Sequence, residues 1–181
     1  MSAVPDQPWA DRALLSESPQ EIFASAAGYY SRYREAYPLP MWQRLTADLG
    51  LDGSQLALDL GCGTGHVAIG LSKLVARVVA VDPQQEMLNE GRTAAAGDPN
   101  SGDVSWQLGD STGLAHLGLE LPQLDLVTMG RSFHWMDRAL VLLTLDTMIR
   151  PGGAIALLHV GGPYLQDGPA WLAKVEDVQT R

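Results

Sequence analysis

The stretch LDLGCGTGHVAIG (58–70) joins an apolar run to three closely spaced glycines and then to a helical pattern. A turn of this kind lets backbone N–H groups approach a ligand, and the helix N-terminus that follows favours negative charge. Three ligand classes use such a turn. A nucleoside triphosphate loop needs a lysine after the glycines, whereas Gly65 is followed by His66 and Val67. A dinucleotide turn wants Gly-x-Gly-x-x-Gly, which from Gly61 and Gly63 puts the third glycine where His66 stands. The chain reads instead Asp59-x-Gly61-x-Gly63-x-Gly65. A carboxylate ahead of the glycines suits a ligand that presents a cation, such as an ammonium, better than a pyrophosphate.

Two further carboxylates extend the pattern. Asp82 closes the next β-branched run, at the distance from the turn where an acidic side chain reaches a ribose diol; on its own it fits NAD as well. Asp110 closes a third run and is followed by Ser111 and Thr112. Each of these residues also has a plainer use as a helix cap or turn former. Carboxylates at the ends of adjacent parallel strands surround the crevice where open α/β sheets bind ligands. A ligand with a cationic end, a ribose and an exocyclic amine is S-adenosylmethionine in outline.

The elements that must carry these residues alternate. QLALDL (55–60), RVVAVD (77–82), VSWQLGD (104–110), LDLVTMG (124–130) and GAIALLHV (153–160) read as strands. GHVAIGLSKLV, QQEMLNEGRTAAA and DRALVLLTLDTMI (137–149) read as helices between them. This alternation predicts an α/β three-layer sandwich: a mostly parallel sheet, right-handed crossovers and helices on both faces. Ahead of it, residues 1–20 read as a loose arm or short docking helix. EIFASAAGYYSRYREAY and MWQRLTADLGL read as two amphipathic helices, the first stopped by Pro38 and Pro40. The expectation is one domain over 21–181, with its core at about 54–160.

From Tyr29 to His159 the sequence resembles the class I S-adenosylmethionine-dependent methyltransferases, in style closest to the small-molecule type 11 and trans-aconitate methyltransferase-like groups. LDLGCGTG, VVAVDPQQEML, LGDS, LDLVTMGRSFHWMD and RPGGAIALLH are similar to five of that family's motifs, in its order. The resemblance implies a Rossmann-like fold, its mostly parallel sheet in the order 3-2-1-4-5, and S-adenosyl-L-methionine as cofactor, with S-adenosyl-L-homocysteine as product. Gly61, Gly63 and Gly65 would pack against the methionine part, with Cys62 filling the turn and Asp59 near the ammonium. Asp82 would accept both ribose hydroxyls, and Pro83 and Met87 would border the adenine. Asp110 would take the adenine amino group, with the Ser111 backbone beside it. Gly130 and Arg131 would lie near the sulfonium. YYSRYREAYP is similar to the family's lid, with Tyr33 and Arg34 as its contacts. His134, between Phe133 and Trp135 just after the fourth strand, is a candidate general base, since a histidine of near-neutral pKa suits removal of a proton from an acceptor. Trp42 and Trp135 are candidates for an apolar acceptor pocket.

The whole chain narrows the field of partners. Among its 181 residues 12 are Lys or Arg and 21 Asp or Glu, for a net charge of −9, which disfavours a nucleic-acid backbone. The one cysteine, Cys62, offers no internal disulfide, and no apolar run is long enough to span a membrane. These features lead to the expectation of a cytoplasmic protein acting on a small molecule, with no metal site, because the four histidines show no ligand spacing. An expected departure lies at the C-terminus. The resembled family continues past strand five with a helix and two more strands, while this chain ends at Arg181 after PAWLAKVEDV. An apolar edge strand is normally covered or interrupted, so a fragment, a reduced fold, or a homodimer across strand five is expected. Two other functions stay open: a cofactor-binding module without methyl transfer, and an NAD-dependent oxidoreductase.

Overall fold

The computed structural model describes residues 37–114 and 124–159; the expected arm, the first helix with Tyr33 and Arg34, His116 and the stretch PAWLAKVEDV lie outside them. Helix α1 spans Leu39–Leu49. It starts earlier than the sequence pattern predicts, because Pro40 sits in its first turn, where a missing N–H loses no helical bond. Strand β1 (Leu56–Leu60) leads through the glycine turn to helix α2 (His66–Leu71). Then come β2 (Arg77–Asp82), α3 (Gln85–Gly97), β3 (Val104–Leu108) and β4 (Leu124–Gly130). A 3-10 turn at Phe133–Trp135, helix α4 (Arg138–Met148) and strand β5 (Ile149–Leu158) complete the described chain.

The strands form one sheet in the hydrogen-bonded order β3-β2-β1-β4-β5, and every pairing is parallel. Strands covered on both faces need apolar side chains on both, and alternation divides them between two cores. Leu58, Leu60, Val79, Val81, Val127 and Met129 pack with Val141, Leu145 and Met148 of α4. On the opposite face Ala57, Val78, Ala80 and Leu126 meet Leu45 of α1, Ala68 and Leu71 of α2, and Leu88 of α3. Helices on both faces of a parallel sheet are what the alternating pattern predicted. Truncating a fully buried residue such as Leu58 to Ala removes roughly 2–5 kcal/mol of stability.

Further boundaries differ from the sequence reading. Helix α2 ends at Leu71, not near Val75. The Ser72 hydroxyl donates to the Ile69 carbonyl at 2.8 Å, and the N–H groups of Lys73 and Leu74 donate to carbonyls three residues back, which tightens the turn and stops the α-helix. Strand β3 ends at Leu108, two residues early, because Asp110 is engaged in a turn with Thr112 and Gly113. Strand β5 begins at Ile149 rather than Gly153, pairing Leu124 with Ile149 and then, past a bulge, Leu126 with Ala154. The Asp125 carboxylate pins that bulge, accepting from the Leu56 N–H at 2.7 Å and from the Arg150 guanidinium.

Candidate functional site

The register of the sheet assembles the site. Asp59 pairs with Ala80 of β2 on one side and with Thr128 of β4 on the other. Alternation then puts Asp59, Asp82 and Thr128 on one sheet face, toward α2. The glycine turn is tied down against β2, because the N–H groups of Gly61 and Cys62 both donate to the Val81 carbonyl, at 2.8 and 3.0 Å. Gly63 N–H donates to Asp82 Oδ2 at 2.8 Å, and Gln84 N–H to Asp82 Oδ1 at 3.0 Å.

Between these elements opens a cavity of about 400 Å³. The expected residues Asp59, Gly61, Cys62, Gly63, Asp82 and Pro83 line it, as do Met87, Asp110, Ser111, Gly130 and Arg131. Three expected residues do not. Gly65 lies behind the wall: a Cβ there would stand 2.3 Å from the ring of Trp106 on β3, so this glycine makes room for the tryptophan. His134 is exposed on the 3-10 turn, its ring 5.0 Å from that of Trp135, and only Trp135 reaches the cavity. In a helix of three residues per turn neighbouring side chains diverge, which separates the two rings' destinations. Trp42 does not line the cavity either; it packs over Gly70, a Cβ on which would be 2.3 Å away.

The electrostatics of the cavity are set by burial. Asp59 is fully buried, accepts from the Thr128 hydroxyl at 2.9 Å through Oδ1, and has no hydrogen-bond partner for Oδ2 among the described residues. Burial raises its carboxyl to about 7, the Thr128 hydroxyl and the Ala68 backbone N–H of α2 offsetting part of this and the charge of Asp82 adding to it. Asp82 is raised as well, again by burial, against the pull of the two backbone N–H groups. Burial, then the charges of Asp59 and Asp82, push the Cys62 thiol well above its ordinary value, so it stays protonated and is a poor nucleophile. Asp110 is exposed, and its Oδ1 takes the hydroxyl and N–H of Thr112 and the N–H of Gly113, which lowers its pKa. The turn-forming role weighed for Asp110 is therefore present, and it fixes the carboxylate at the cavity's rim.

Ser132, which the sequence reading does not single out, also lines the cavity, and Tyr37 and Arg131 gain contacts there that the sequence does not specify. The Ser132 hydroxyl donates to the Leu60 carbonyl at 2.7 Å, and a Cβ on Gly61 would stand 2.5 Å from Ser132 Cβ. Tyr37 is buried at the cavity's side, its hydroxyl 2.8 Å from where a Cβ of Gly130 would be. Arg131 has a left-handed backbone at φ 56°, its N–H bonded to the Leu158 carbonyl at 3.0 Å and its guanidinium 6.0 Å from the Tyr37 ring centre. A non-glycine residue in that region is strained, and such residues concentrate at ligand sites. His66, read from sequence as structural or solvated, also lines the cavity, its Nδ1 3.0 Å from the Thr64 hydroxyl.

The cavity fits a nucleoside carrying an ammonium on three counts. A buried carboxylate oxygen lacks a partner, a second carboxylate keeps about half of its roughly four acceptor sites open for a diol, and the Gly63 position faces open space. Comparison with known proteins agrees. A family model described as a methyltransferase domain matches residues 58–157. An uncharacterized methyltransferase of Mycobacterium tuberculosis is 31% identical over 140 residues, covering 75% of this chain and 51% of the relative. A demethylmenaquinone methyltransferase of Staphylococcus aureus is 29% identical over 164 residues, covering 86% of this chain and 66% of the relative. The chain thus spans about half the length of the mycobacterial relative. Among solved structures, a Methanococcus maripaludis protein described as an S-adenosyl-L-methionine-dependent methyltransferase superposes with TM-score 0.67 at 18% identity, covering 91% of this chain and 85% of that one. The CcbJ methyltransferase of Streptomyces caelestis gives TM-score 0.60 at 24% identity, covering 75% and 56%. At these identities the likeness is one of fold. With its family match running over more than half of its length, the chain belongs to the class I S-adenosylmethionine-dependent methyltransferase domains.

Proposed function

We propose that this protein binds S-adenosyl-L-methionine in the cavity at the ends of β1, β2 and β4 and transfers its methyl group to a small-molecule acceptor. The observation that carries the reading is the pair of buried carboxylates, Asp59 and Asp82, facing one cavity on either side of the Gly61–Gly63 turn. Asp59 Oδ2 pairs with the ligand's ammonium, and Asp82 accepts the ribose diol. Pro83 and Met87 flank the adenine, and Asp110 and Ser111 hold its polar edge. Gly130 and Arg131 close the cavity on the β4 side. When bound, the cofactor supplies an electrophilic methyl group on a sulfonium, which passes in line to a nucleophilic acceptor and leaves S-adenosyl-L-homocysteine. The chain contributes by positioning the reactants and excluding water.

His134, exposed and away from the cavity, serves as general base only if an acceptor extends beyond the rim. That placement favours, as the second reading, a binding module without methyl transfer. Within the family, the likeness to the type 11 and trans-aconitate-like groups underlies the choice of a small-molecule acceptor. A second copy of the chain across β5, where Ile155 and Leu157 are exposed, is the proposed partner.

Calorimetric titration tests the reading directly. S-adenosylhomocysteine binds and NAD does not; the reverse result overturns it in favour of an oxidoreductase. Asp82→Ala weakens S-adenosylhomocysteine by about tenfold or more, since two charge-assisted hydrogen bonds are lost; unchanged affinity removes the ribose assignment. Binding without methyl transfer to any acceptor in a broad small-molecule screen selects the second reading.

A further inference from the structure

Thr128 is a fully buried hydroxyl in a strand whose neighbouring residues, Leu126, Val127 and Met129, are apolar. Valine has the same shape and would satisfy the packing without a polar group to desolvate. What distinguishes the position is its register. Thr128 is the direct cross-strand partner of Asp59, and the residue on the other flank of Asp59 is Ala80, whose side chain has no polar atom. The Thr128 hydroxyl lies 2.9 Å from Asp59 Oδ1 and 3.4 Å from the Leu58 carbonyl.

We propose that Thr128 is a positioning residue: by holding Oδ1 of Asp59, a residue of the cavity wall, it leaves Oδ2 for the ligand, and so selects ligands that carry a cation at that point. The inference rests on the reading of the cavity as an S-adenosylmethionine site. The terminal torsion of an aspartate is soft, so without a lateral partner the carboxylate rotates among orientations. A hydroxyl suits the task in either protonation state. When Asp59 is ionised, the Thr128 O–H donates to Oδ1. When Asp59 is neutral, the carboxyl O–H donates to Thr128 Oγ1, and the hydroxyl proton turns to the Leu58 carbonyl. Oδ2 keeps its direction in both. The other charged or titratable groups around Asp59 are Asp82 from β2, Cys62 in the turn, His66 from α2 and Arg131 after β4, and the backbone N–H of Ala68 on α2 also favours its ionised form.

The test compares two probes on Thr128→Val and Thr128→Ser. S-adenosylhomocysteine carries the ammonium; 5′-methylthioadenosine shares the nucleoside and lacks the amino-acid end. Thr128→Val lowers affinity for S-adenosylhomocysteine about tenfold and changes that for methylthioadenosine less than about twofold, as expected when one hydrogen bond orienting a charge is lost. Thr128→Ser, which keeps the hydroxyl, restores selectivity. Thermal melting of each variant verifies folding, and Thr128→Ala supplies the same contrast if the valine variant does not fold. Equal weakening of both probes, or an unchanged preference for S-adenosylhomocysteine, overturns the inference and leaves the cavity assignment standing. A wild-type protein that binds neither probe overturns the cavity assignment itself, and the inference with it.

Discussion

At the scale of single residues, the site is governed by one cost: a carboxylate taken out of water with one oxygen unpartnered. The folded protein holds Asp59 near 7, whereas its unfolded value is the ordinary 3.8. Between these values the folded state keeps a proton that the unfolded state releases. Stability is therefore full at low pH and falls as pH rises from about 4 toward 7, and the raised Asp82 contributes in the same direction. The melting temperature of the ligand-free protein should fall over that window, and Asp59→Asn should flatten the fall; a variant with the wild-type slope would show that Asp59 is not the titrating group. An ammonium needs the ionised form, so affinity for S-adenosylhomocysteine should rise from pH 6 to 8 in the wild type and lose that dependence in Asp59→Asn.

At the scale of elements, the turn between β1 and α2 divides its labour among its glycines. Gly61 and Gly63 both have positive φ, 70° and 54°, yet their surroundings differ. A methyl group on Gly61 meets Ser132 Cβ at 2.5 Å, while one on Gly63, which lines the cavity, meets nothing within 4 Å. Gly61→Ala should cost roughly 2–4 kcal/mol of stability through left-handed strain and overpacking. Gly63→Ala should cost about 1 kcal/mol, from strain alone, while lowering S-adenosylhomocysteine affinity. Chemical denaturation and calorimetry on the two variants separate these outcomes. Equal destabilisation by both would mean that Gly63 is as tightly packed as Gly61. The third glycine, Gly65, serves packing: Trp106 fills the space that it and Gly91 leave, joining the turn to α3 and β3.

At the scale of the whole molecule, the apolar face beneath α4 does not stop where the helix does. Ile155 and Leu157 pair with Val127 and Met129, so they continue that face to the outer strand, where they are 36% and 55% exposed. Apolar side chains on an outer strand favour association. Sedimentation velocity should show concentration-dependent dimers, and Leu157→Lys should return the protein to monomer without altering S-adenosylhomocysteine binding. Identical sedimentation of variant and wild type would remove the proposed dimer face.

Much of this molecule is local, and what is local was legible in the amino-acid sequence. Strand positions followed from runs of Val, Leu and Ala, and the acidic residues at their ends were visible because a parallel sheet collects strand ends at one edge. The glycine spacing identified a nucleotide turn of a particular kind. Boundaries were missed where a side chain intervened, as Ser72 does at the end of α2 and Asp125 at the bulge of β5. The tertiary structure alone decided what each site residue touches. Thr128 meets Asp59 across 69 residues of chain, and Ser132 reaches Leu60 across 72. No periodicity encodes such pairs, because they depend on which strands lie side by side and in what register. The same dependence moved Gly65 behind the wall, took His134 out to solvent, and left one oxygen of Asp59 without a partner.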